Sequence, residues 1–128
     1  MASADARIDL LLAEARDMIQ PRATAEDLEV LVDAGALVID TRPIEQRSRD
    51  GELPGAIVID RNVLEWRLDP TSAFRIAEAD DAARVVVVVC NEGFASSLAA
   101  ATLRALGLPN ATDLDGGYQA WLAWKAAR

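Results

Sequence analysis

The sequence has no histidine and a single cysteine, Cys90. Without histidine the chain can form neither a Cys/His zinc site nor a cysteine–histidine catalytic pair. One cysteine cannot close an internal disulfide. These absences exclude three common kinds of site and favour a reducing compartment, for which the cytoplasm is the simplest expectation.

Basic residues are also scarce. The chain of 128 residues has 13 lysines and arginines against 21 aspartates and glutamates, which gives a net charge of −8. Nucleic acids and anionic membranes are bound by basic patches, so we expect neither as a partner. No apolar run approaches the roughly 20 residues that a membrane-spanning helix needs. The first ten residues include Asp5, Arg7 and Asp9, unlike those of a signal peptide.

The length fits one compact domain and is too short for two ordinary ones. Residues 1–22 contain apolar side chains at helical spacing before Pro21, and we expect a packing helix there with no chemistry of its own. We expect residues 23–128 to form one globular unit.

The most informative stretch begins with five consecutive valines at positions 85–89 and continues into Cys90. The run has no polar alternation, which is typical of a central parallel strand covered on both faces. After Cys90 come a loop containing Gly93, two serines suited to capping a helix, and an alanine- and leucine-rich segment that ends at Gly107. The pattern predicts a strand, a thiol, a tight loop and a helix.

This arrangement has two interpretations. The first turn of a helix carries unpaired N–H groups and a partial positive charge, so a thiol held over it is a thiolate more often than a free cysteine is. The loop amides could also hold an anion beside the sulfur. Alternatively, Cys90 is a small apolar residue that closes a buried strand. The spacing alone leaves both interpretations open.

Several charged residues follow other predicted strands. Asp40 ends the apolar run 36–40 and lies close to Arg42, while Arg61 and Arg67 follow the predicted strand 57–60. Ligands gather at the carboxyl ends of parallel strands, so these four residues are candidate accessory residues of a site at that edge. The structural alternatives are a salt link between Asp40 and Arg42, and solvated arginines at the other two positions.

Short strands alternate with helical segments along the chain, and a further strand is predicted at 111–114. This order is typical of a three-layer α/β domain. We expect a mostly parallel central sheet of about five strands, flanked by helices.

Four short motifs also occur in a characteristic order. They are Asp40-Thr41-Arg42, the turn Gly-Glu-Leu-Pro-Gly-Ala at 51–56, Cys90 followed by Gly93 and Ser96, and Gly-Gly-Tyr-Gln-Ala-Trp at 116–121. Together they closely resemble the D-x-R, G-H-I-P-G-A, C-x-x-G-x-x-S and G-G-x-x-x-W patterns of the single-domain rhodanese family. The resemblance covers residues 24–124 and implies a rhodanese-like fold.

The resemblance also implies a sulfurtransferase. Cys90 would take sulfur from thiosulfate or a persulfide donor, hold it as a persulfide, and pass it to a thiol acceptor, either a small molecule or a protein. No metal and no organic cofactor are implied. The active loop, mainly through its backbone amides, would bind the substrate; it consists of Asn91, Glu92, Gly93, Phe94, Ala95, Ser96 and Ser97.

The active loop departs from the family pattern because it contains Glu92 and no basic residue. A carboxylate near the site should repel dianionic thiosulfate by about 1 kcal/mol, which favours a neutral or protein-bound persulfide as the donor. It also leaves open a module that carries sulfur, senses oxidants or binds a protein without turnover. Phe94, at the loop tip, should form an exposed apolar rim that selects a partner or substrate.

Cysteine-dependent phosphatases and arsenate reductases have a similar loop. They use a C-x5-R pattern in which an arginine clamps the oxyanion in a bidentate manner. In this sequence Ser96 occupies that position, and Arg104 lies two helical turns beyond it. The residues therefore disfavour phosphatase activity.

Overall fold

The structure is a computed structural model and describes residues 6–128. Within these residues four parallel strands form one sheet in the order β2-β1-β3-β4. The strands are β1 (Leu37–Asp40), β2 (Ile57–Val58), β3 (Val86–Val89) and β4 (Ala111–Asp113). The helices are α1 (Arg7–Met18), α2 (Leu28–Asp33), α3 (Ile44–Asp50), α4 (Leu64–Leu68), α5 (Ala95–Leu106) and α6 (Gly117–Ala126), with a 3-10 turn at Arg61–Val63.

The valine strand β3 lies between β1 and β4, and all four of its residues are buried. Val86 and Val88 face a core that includes side chains of α1, α4 and α5, whereas Val87 and Val89 face a second core that includes Leu28 of α2 and Tyr118 of α6. Covering both faces of a sheet in this way gives three layers. The predicted α/β fold class with a parallel sheet is confirmed.

The predicted number of strands was one too high. Ala23 lies beside β4, where a fifth strand could pair, but it forms only a single bridge with Leu114. Pro21 has no N–H to extend this pairing in one direction. In the other direction, the chain turns between Thr24 and Asp27, whose side chains share a 2.8 Å hydrogen bond. The sheet therefore stops at four strands.

The predicted packing helix over residues 1–22 extends in part outside the described residues, which begin at position 6. The helix that the structure describes, α1, ends at Met18. Ala15 and the following Ile19 are buried in the same core as α5. No helix within residues 6–128 combines the length and the apolar character needed to cross a bilayer.

Because all four strands are parallel, their carboxyl ends meet at one edge of the sheet. In the register of the sheet, Asp40 pairs with Val89 and Asp113 pairs with Val88. Cys90 directly follows Val89. Asp40, Cys90 and Asp113 therefore lie at the same edge.

Candidate active site

Cys90 lies at the floor of a cavity of about 310 Å³ at the carboxyl edge of the sheet. Its side chain is largely buried, with 9% of the residue exposed, but it remains part of the cavity wall. The other lining residues are Thr41, Arg42, Pro43, Gln46, Arg61, Asn91, Glu92, Phe94 and Ala95. A small anion that enters this cavity can therefore reach the sulfur.

Two backbone amides point at the sulfur. The N–H groups of Gly93 and Ser96 donate to Cys90 Sγ at 3.2 and 3.3 Å. Ser96 belongs to the first turn of α5, so one of the donors left unpaired at the start of this helix is satisfied by the sulfur. The positive end of the helix dipole reinforces both contacts with a negatively charged sulfur.

The prediction that Ser96 and Ser97 cap α5 was wrong. The helix begins at Ala95, Phe94 holds the N-cap position, and no side chain accepts a capping hydrogen bond there. Both serines lie inside the first turn, and their hydroxyl groups are directed at Asp113. The sulfur accepts the Ser96 amide in place of a capping oxygen.

Other amides of the loop are free to bind a ligand. Over residues 6–128, no backbone or side-chain group accepts a hydrogen bond from the amides of Asn91, Glu92, Phe94 and Ala95. All four residues line the cavity beside Cys90. A run of such amides at a helix N-terminus is a suitable environment for an anion.

The loop is closely packed against the turn that precedes α6. A Cβ on Gly93, whose φ is +84°, would lie 2.7 Å from the amide nitrogen of Gly116. A Cβ on Gly117 would lie 2.6 Å from the carbonyl oxygen of Cys90. The amide of Tyr118 donates to that carbonyl at 2.9 Å. The paired glycines of the closing motif thus allow the α6 turn to support the back of the loop.

A chain of hydrogen bonds leads from the sulfur to a buried carboxylate. Cys90 Sγ lies 3.2 Å from Ser96 Oγ, which donates to Asp113 Oδ2 at 2.7 Å. Ser97 Oγ donates to the same carboxylate oxygen at 2.7 Å. Asp113 is completely buried. The loop is therefore attached to the end of β4 through both serines.

Two arginines from outside the loop complete this network. Arg22 binds both carboxylate oxygens of Asp113, at 2.8 and 3.1 Å, and its Nη2 donates to the carbonyl oxygen of Gly93 at 3.0 Å. Arg16 of α1 donates to the same carbonyl at 2.8 Å and to Ser97 Oγ at 3.2 Å. The residues preceding β1 thus hold the tip of the active loop.

The pKa of Arg22 reflects this pairing. Burial lowers it and is the largest single effect, but the hydrogen bond and charge of Asp113, together with the charges of Asp115 and Cys90, raise it by more in sum. The net effect raises the pKa of Arg22 above its usual value. Arg22 therefore remains a cation at every pH relevant to the protein.

Sequence reasoning did not identify Arg16, Arg22 or Asp113. Asp113 ends a parallel strand, as Asp40 does, and the rule that parallel strands share a carboxyl edge could have placed it beside Cys90. The two arginines contact Gly93 across sequence separations of 77 and 71 residues. No local pattern signals contacts of that range.

The accessory candidates Asp40 and Arg42 form a buried ion pair. Arg42 donates to Asp40 through Nε and Nη2, the latter at 2.8 Å, and to the carbonyl oxygen of Gly51 at 2.9 Å. Its guanidinium carbon lies 3.6 Å from the centroid of the Tyr118 ring. This pair connects β1 to the turn at Gly51, and Arg42 also borders the cavity.

The other two accessory candidates are placed differently. Arg61 lines the cavity, and its Nη1 donates to both carboxylate oxygens of Glu65 at 2.9 Å. Arg67 is not among the residues that line the cavity, and its guanidinium donates to the carbonyl oxygen of Phe74 at 2.7 Å. Of the two, only Arg61 is brought together with Cys90.

The rim of the cavity carries Phe94 and Glu92. Phe94 is 57% exposed, and the guanidinium carbon of Arg16 lies 5.3 Å from its ring centroid. Glu92 is exposed to solvent and borders the same cavity. The entrance therefore combines an apolar ring with a carboxylate.

Comparison with known proteins places this geometry in a family. A family model described as "Rhodanese-like domain" matches residues 24–123. The chain is 30% identical over 102 residues to the thiosulfate sulfurtransferase GlpE of Pseudomonas savastanoi pv. phaseolicola, covering 80% of this chain and 87% of that one. It is 39% identical over 93 residues to the adenylyltransferase and sulfurtransferase UBA4 of Candida albicans. That match covers 66% of this chain and only 19% of the yeast protein.

Solved structures show the same fold. The human single-domain sulfurtransferase TSTD1 superposes with a TM-score of 0.67 and 30% identity, covering 80% of this chain and 96% of the human chain. A protein of unknown function from Rhodopseudomonas palustris, described as a possible tyrosine phosphatase, superposes with a TM-score of 0.81 and 29% identity over 98% and 96% of the two chains. The expected resemblance is confirmed, and the chain belongs to the rhodanese-like family.

Proposed function

We propose that this protein transfers sulfane sulfur through a persulfide formed on Cys90. The observation that carries the proposal is the pair of amides, from Gly93 and Ser96, that point at Sγ beside an open cavity. A transfer in two steps through one group requires a good nucleophile that can also leave, and amides directed at the sulfur favour its anionic forms. Three of the relatives described above are named sulfurtransferases, which supports this class of reaction.

In the first step the Cys90 thiolate attacks the outer sulfur of a donor. With thiosulfate, a bond forms between Sγ and the outer sulfur, the sulfur–sulfur bond of thiosulfate breaks, and its electron pair leaves with sulfite. The thiolate becomes a persulfide anion, so charge is conserved. The amides of Asn91, Glu92, Phe94 and Ala95, which line the same cavity, would donate hydrogen bonds to the terminal sulfur and the leaving anion.

In the second step a thiophilic acceptor removes the outer sulfur. A thiolate acceptor attacks the terminal sulfur, the Cys90–sulfur bond breaks, and its electron pair returns to Sγ. The products are the acceptor persulfide and the Cys90 thiolate. Cyanide serves as acceptor in the same way and yields thiocyanate. Neither step requires a metal or an organic cofactor.

The charge at the entrance bears on the physiological donor. Glu92 is an exposed carboxylate on the cavity rim, and the active loop offers no basic side chain to offset it. Thiosulfate carries two negative charges on the reacting group, whereas a persulfide group carries one or none. We therefore propose a low-molecular-weight or protein persulfide as the donor and a thiol, free or on a protein, as the acceptor.

The reaction needs Cys90 as a free thiol, and thiols stay reduced in the cytoplasm, which supports a cytoplasmic location. We also propose that residues 1–22 act as a packing helix on the unit formed by residues 23–128. The buried contacts of Ala15 and Ile19 with the core of α5 support this packing, and Arg16 and Arg22 add contacts with the active loop.

Phosphatase activity, which the description of the Rhodopseudomonas palustris protein raises, has less support. Ser96 occupies the position where such enzymes carry the arginine that clamps the oxyanion. The guanidinium groups of Arg16 and Arg22 approach the loop, but they donate to the carbonyl oxygen of Gly93. These two arginines therefore hold the loop, and they do not replace the arginine that clamps the oxyanion.

Steady-state kinetics with two donors test the proposal. Thiocyanate formation from cyanide should occur with thiosulfate and with glutathione persulfide, should give parallel lines in double-reciprocal plots, and should vanish in Cys90→Ser. Arg84→Met, which alters a half-buried residue at the end of β3 opposite to Cys90, should match the wild type. Thiocyanate formation that stays above the uncatalysed rate in Cys90→Ser contradicts the proposal. Absence of turnover with every donor favours a module that carries or senses sulfur.

A further inference from the structure

The hydroxyl group of Ser96 stands between two groups that compete for its single proton. Asp113 Oδ2 lies 2.7 Å from Ser96 Oγ, and Cys90 Sγ lies 3.2 Å from it. Arg22 binds both oxygens of Asp113, so the side chain is a carboxylate that accepts hydrogen bonds and does not donate them. Hydrogen bonds to a charged acceptor are the shorter and stronger ones. The Ser96 proton therefore lies on the Asp113 side.

This orientation has a consequence for the sulfur. With its proton on Asp113, Ser96 Oγ presents a lone pair to Cys90 Sγ. A neutral thiol can donate its S–H to that lone pair, whereas a thiolate faces it without a proton between them. The amides of Gly93 and Ser96 stabilise the thiolate, and the Ser96 hydroxyl opposes them.

We propose that Asp113 is a positioning residue that turns the Ser96 hydroxyl away from the sulfur and thereby limits the fraction of Cys90 present as thiolate. Arg22 acts in the opposite sense, because its cation withdraws Asp113 from the serine and adds positive charge near the sulfur. The inference deepens the proposed function, since the thiolate is the form that attacks a donor.

The other charged groups near this network are the same in all the variants below. They are Arg16 from α1, Asp115 after β4, and Arg42, Arg61 and Glu92 at the cavity. Any change in thiol reactivity between variants is therefore assigned to Asp113, Ser96 or Arg22.

Replacing Asp113 and replacing Arg22 should change the reactivity of Cys90 in opposite directions. Asp113→Asn removes the charge and supplies an amide N–H that donates to Ser96 Oγ, so the serine proton becomes available to a thiolate. Arg22→Met leaves the Asp113 charge unpaired and strengthens its hold on the serine. If the ion pair served only to hold the loop, breaking it from either side would change the reactivity of Cys90 in the same direction.

The test is the rate at which iodoacetamide alkylates Cys90 in the folded full-length chain at pH 7, followed by intact mass. We expect a five- to tenfold faster rate in Asp113→Asn and at least a threefold slower rate in Arg22→Met. Arg22→Lys, which keeps the cation, should recover most of the lost rate. Arg84→Met, which breaks the 3.8 Å ion pair between the half-buried Arg84 and Asp80, should leave the rate unchanged. The pH at half-maximal rate should move down in Asp113→Asn and up in Arg22→Met.

Ser96→Ala distinguishes an effect on Cys90 that acts through the orientation of the Ser96 hydroxyl from a direct effect of the Asp113 charge. Its rate should be at least twofold faster than that of the wild type, because the thiol loses its acceptor. In the Ser96→Ala background, Asp113→Asn should change the rate less than twofold. Rates that change in the same direction in Asp113→Asn and Arg22→Met overturn the proposal. A slower rate in Ser96→Ala also overturns it, even if Asp113→Asn does not fold.

Because alkylation requires no sulfur donor, this test is independent of turnover. The expected alkylation rates in a protein that forms no persulfide would uphold the inference and reject the proposed function. Persulfide turnover together with alkylation rates that change in the opposite directions would uphold the proposed function and reject the inference.

Discussion

At the scale of single residues, the character of the site depends on which groups touch one sulfur atom. Cys90 Sγ accepts hydrogen bonds from two backbone amides and contacts one hydroxyl group, while Arg16 and Arg22 donate to the carbonyl oxygen of Gly93. Neutral dipoles fixed by the fold thus provide what a histidine provides in other thiol enzymes. This explains how a chain without histidine can support a reactive cysteine.

Glu92 is the residue that should set donor preference. Glu92→Lys should raise kcat/KM for thiosulfate by about fivefold or more, because replacing a repulsive charge with an attractive one removes and reverses a term of about 1 kcal/mol. Glu92→Gln is the matched control and should give an intermediate value. The measurement is thiocyanate formation at low ionic strength, with the effect shrinking as salt is added. Equal kcat/KM in all three proteins would remove Glu92 from the account of specificity.

Tyr118 offers a test of burial behind the site. It is the only tyrosine, and its hydroxyl donates to the carbonyl oxygen of Asp50 at 2.8 Å. Burial raises its pKa, the Arg42 cation lowers it, and nearby carboxylates raise it, for a net increase above 10.0. Since the folded pKa exceeds the unfolded one, the stability that Tyr118 contributes is present below pH 10 and is lost as the pH rises through the folded value.

Ultraviolet absorbance of tyrosinate measures this pKa directly, because only one tyrosine titrates. The midpoint in the folded protein should lie above 10.0, whereas the midpoint in denaturant should lie close to 10.0. Tyr118→Phe should abolish the signal. A folded midpoint at or below 10.0 would mean that the ring is more exposed, or the Arg42 cation more dominant, than the structure indicates.

At the scale of elements, the active loop keeps its shape because the turn before α6 supports it. Gly93 and Gly117 both have positive φ and both approach backbone atoms of the opposing segment closely. The Tyr118 and Gln119 amides donate to carbonyl oxygens of the loop, at 2.9 and 3.1 Å. The closing Gly-Gly motif is thus part of the construction of the cysteine loop, although it lies more than twenty residues away in sequence.

Gly93→Ala and Gly55→Ala form a matched pair that separates strain from contact. Their φ angles are +84° and +80°, but a Cβ at Gly55 meets nothing within 4 Å, whereas one at Gly93 meets Gly116. Both should lose about 1–2 kcal/mol of unfolding free energy from the left-handed backbone. Only Gly93→Ala should lose more than this and also slow alkylation of Cys90. Chemical denaturation and alkylation rates give the two readouts, and equal losses in both variants would contradict the packing argument.

At the scale of the whole molecule, the residues before the family match contribute to both core and site. Ala15 and Ile19 are buried against α5, and Arg16 and Arg22 bind the active loop. A chain that lacks residues 1–22 should therefore lose at least about 3 kcal/mol of unfolding free energy, the scale of a large buried aliphatic side chain. Denaturant unfolding of the truncated and full chains measures the difference. Equal stability would show that the rhodanese-like unit is complete without α1.

Much of the fold could be predicted from local pattern, and some of the site could not. The unbroken valine run specified a central strand, and the order of Cys90, Gly93 and the closing glycines indicated the family. The bridge at Ala23 in place of a fifth strand depended on how Pro21 and the Thr24 turn limit pairing. The roles of Ser96, Ser97, Asp113, Arg16 and Arg22 depend on contacts between distant segments, which no local spacing reveals.

The most direct test of the central claim is the intact mass of the protein after brief exposure to a persulfide donor and removal of excess reagent. We expect one added sulfur atom on the wild type, its loss on addition of a thiol acceptor, and no adduct on Cys90→Ser. An unchanged mass with persulfide and thiosulfate donors alike, in folded protein whose Cys90 still reacts with iodoacetamide, would contradict the account.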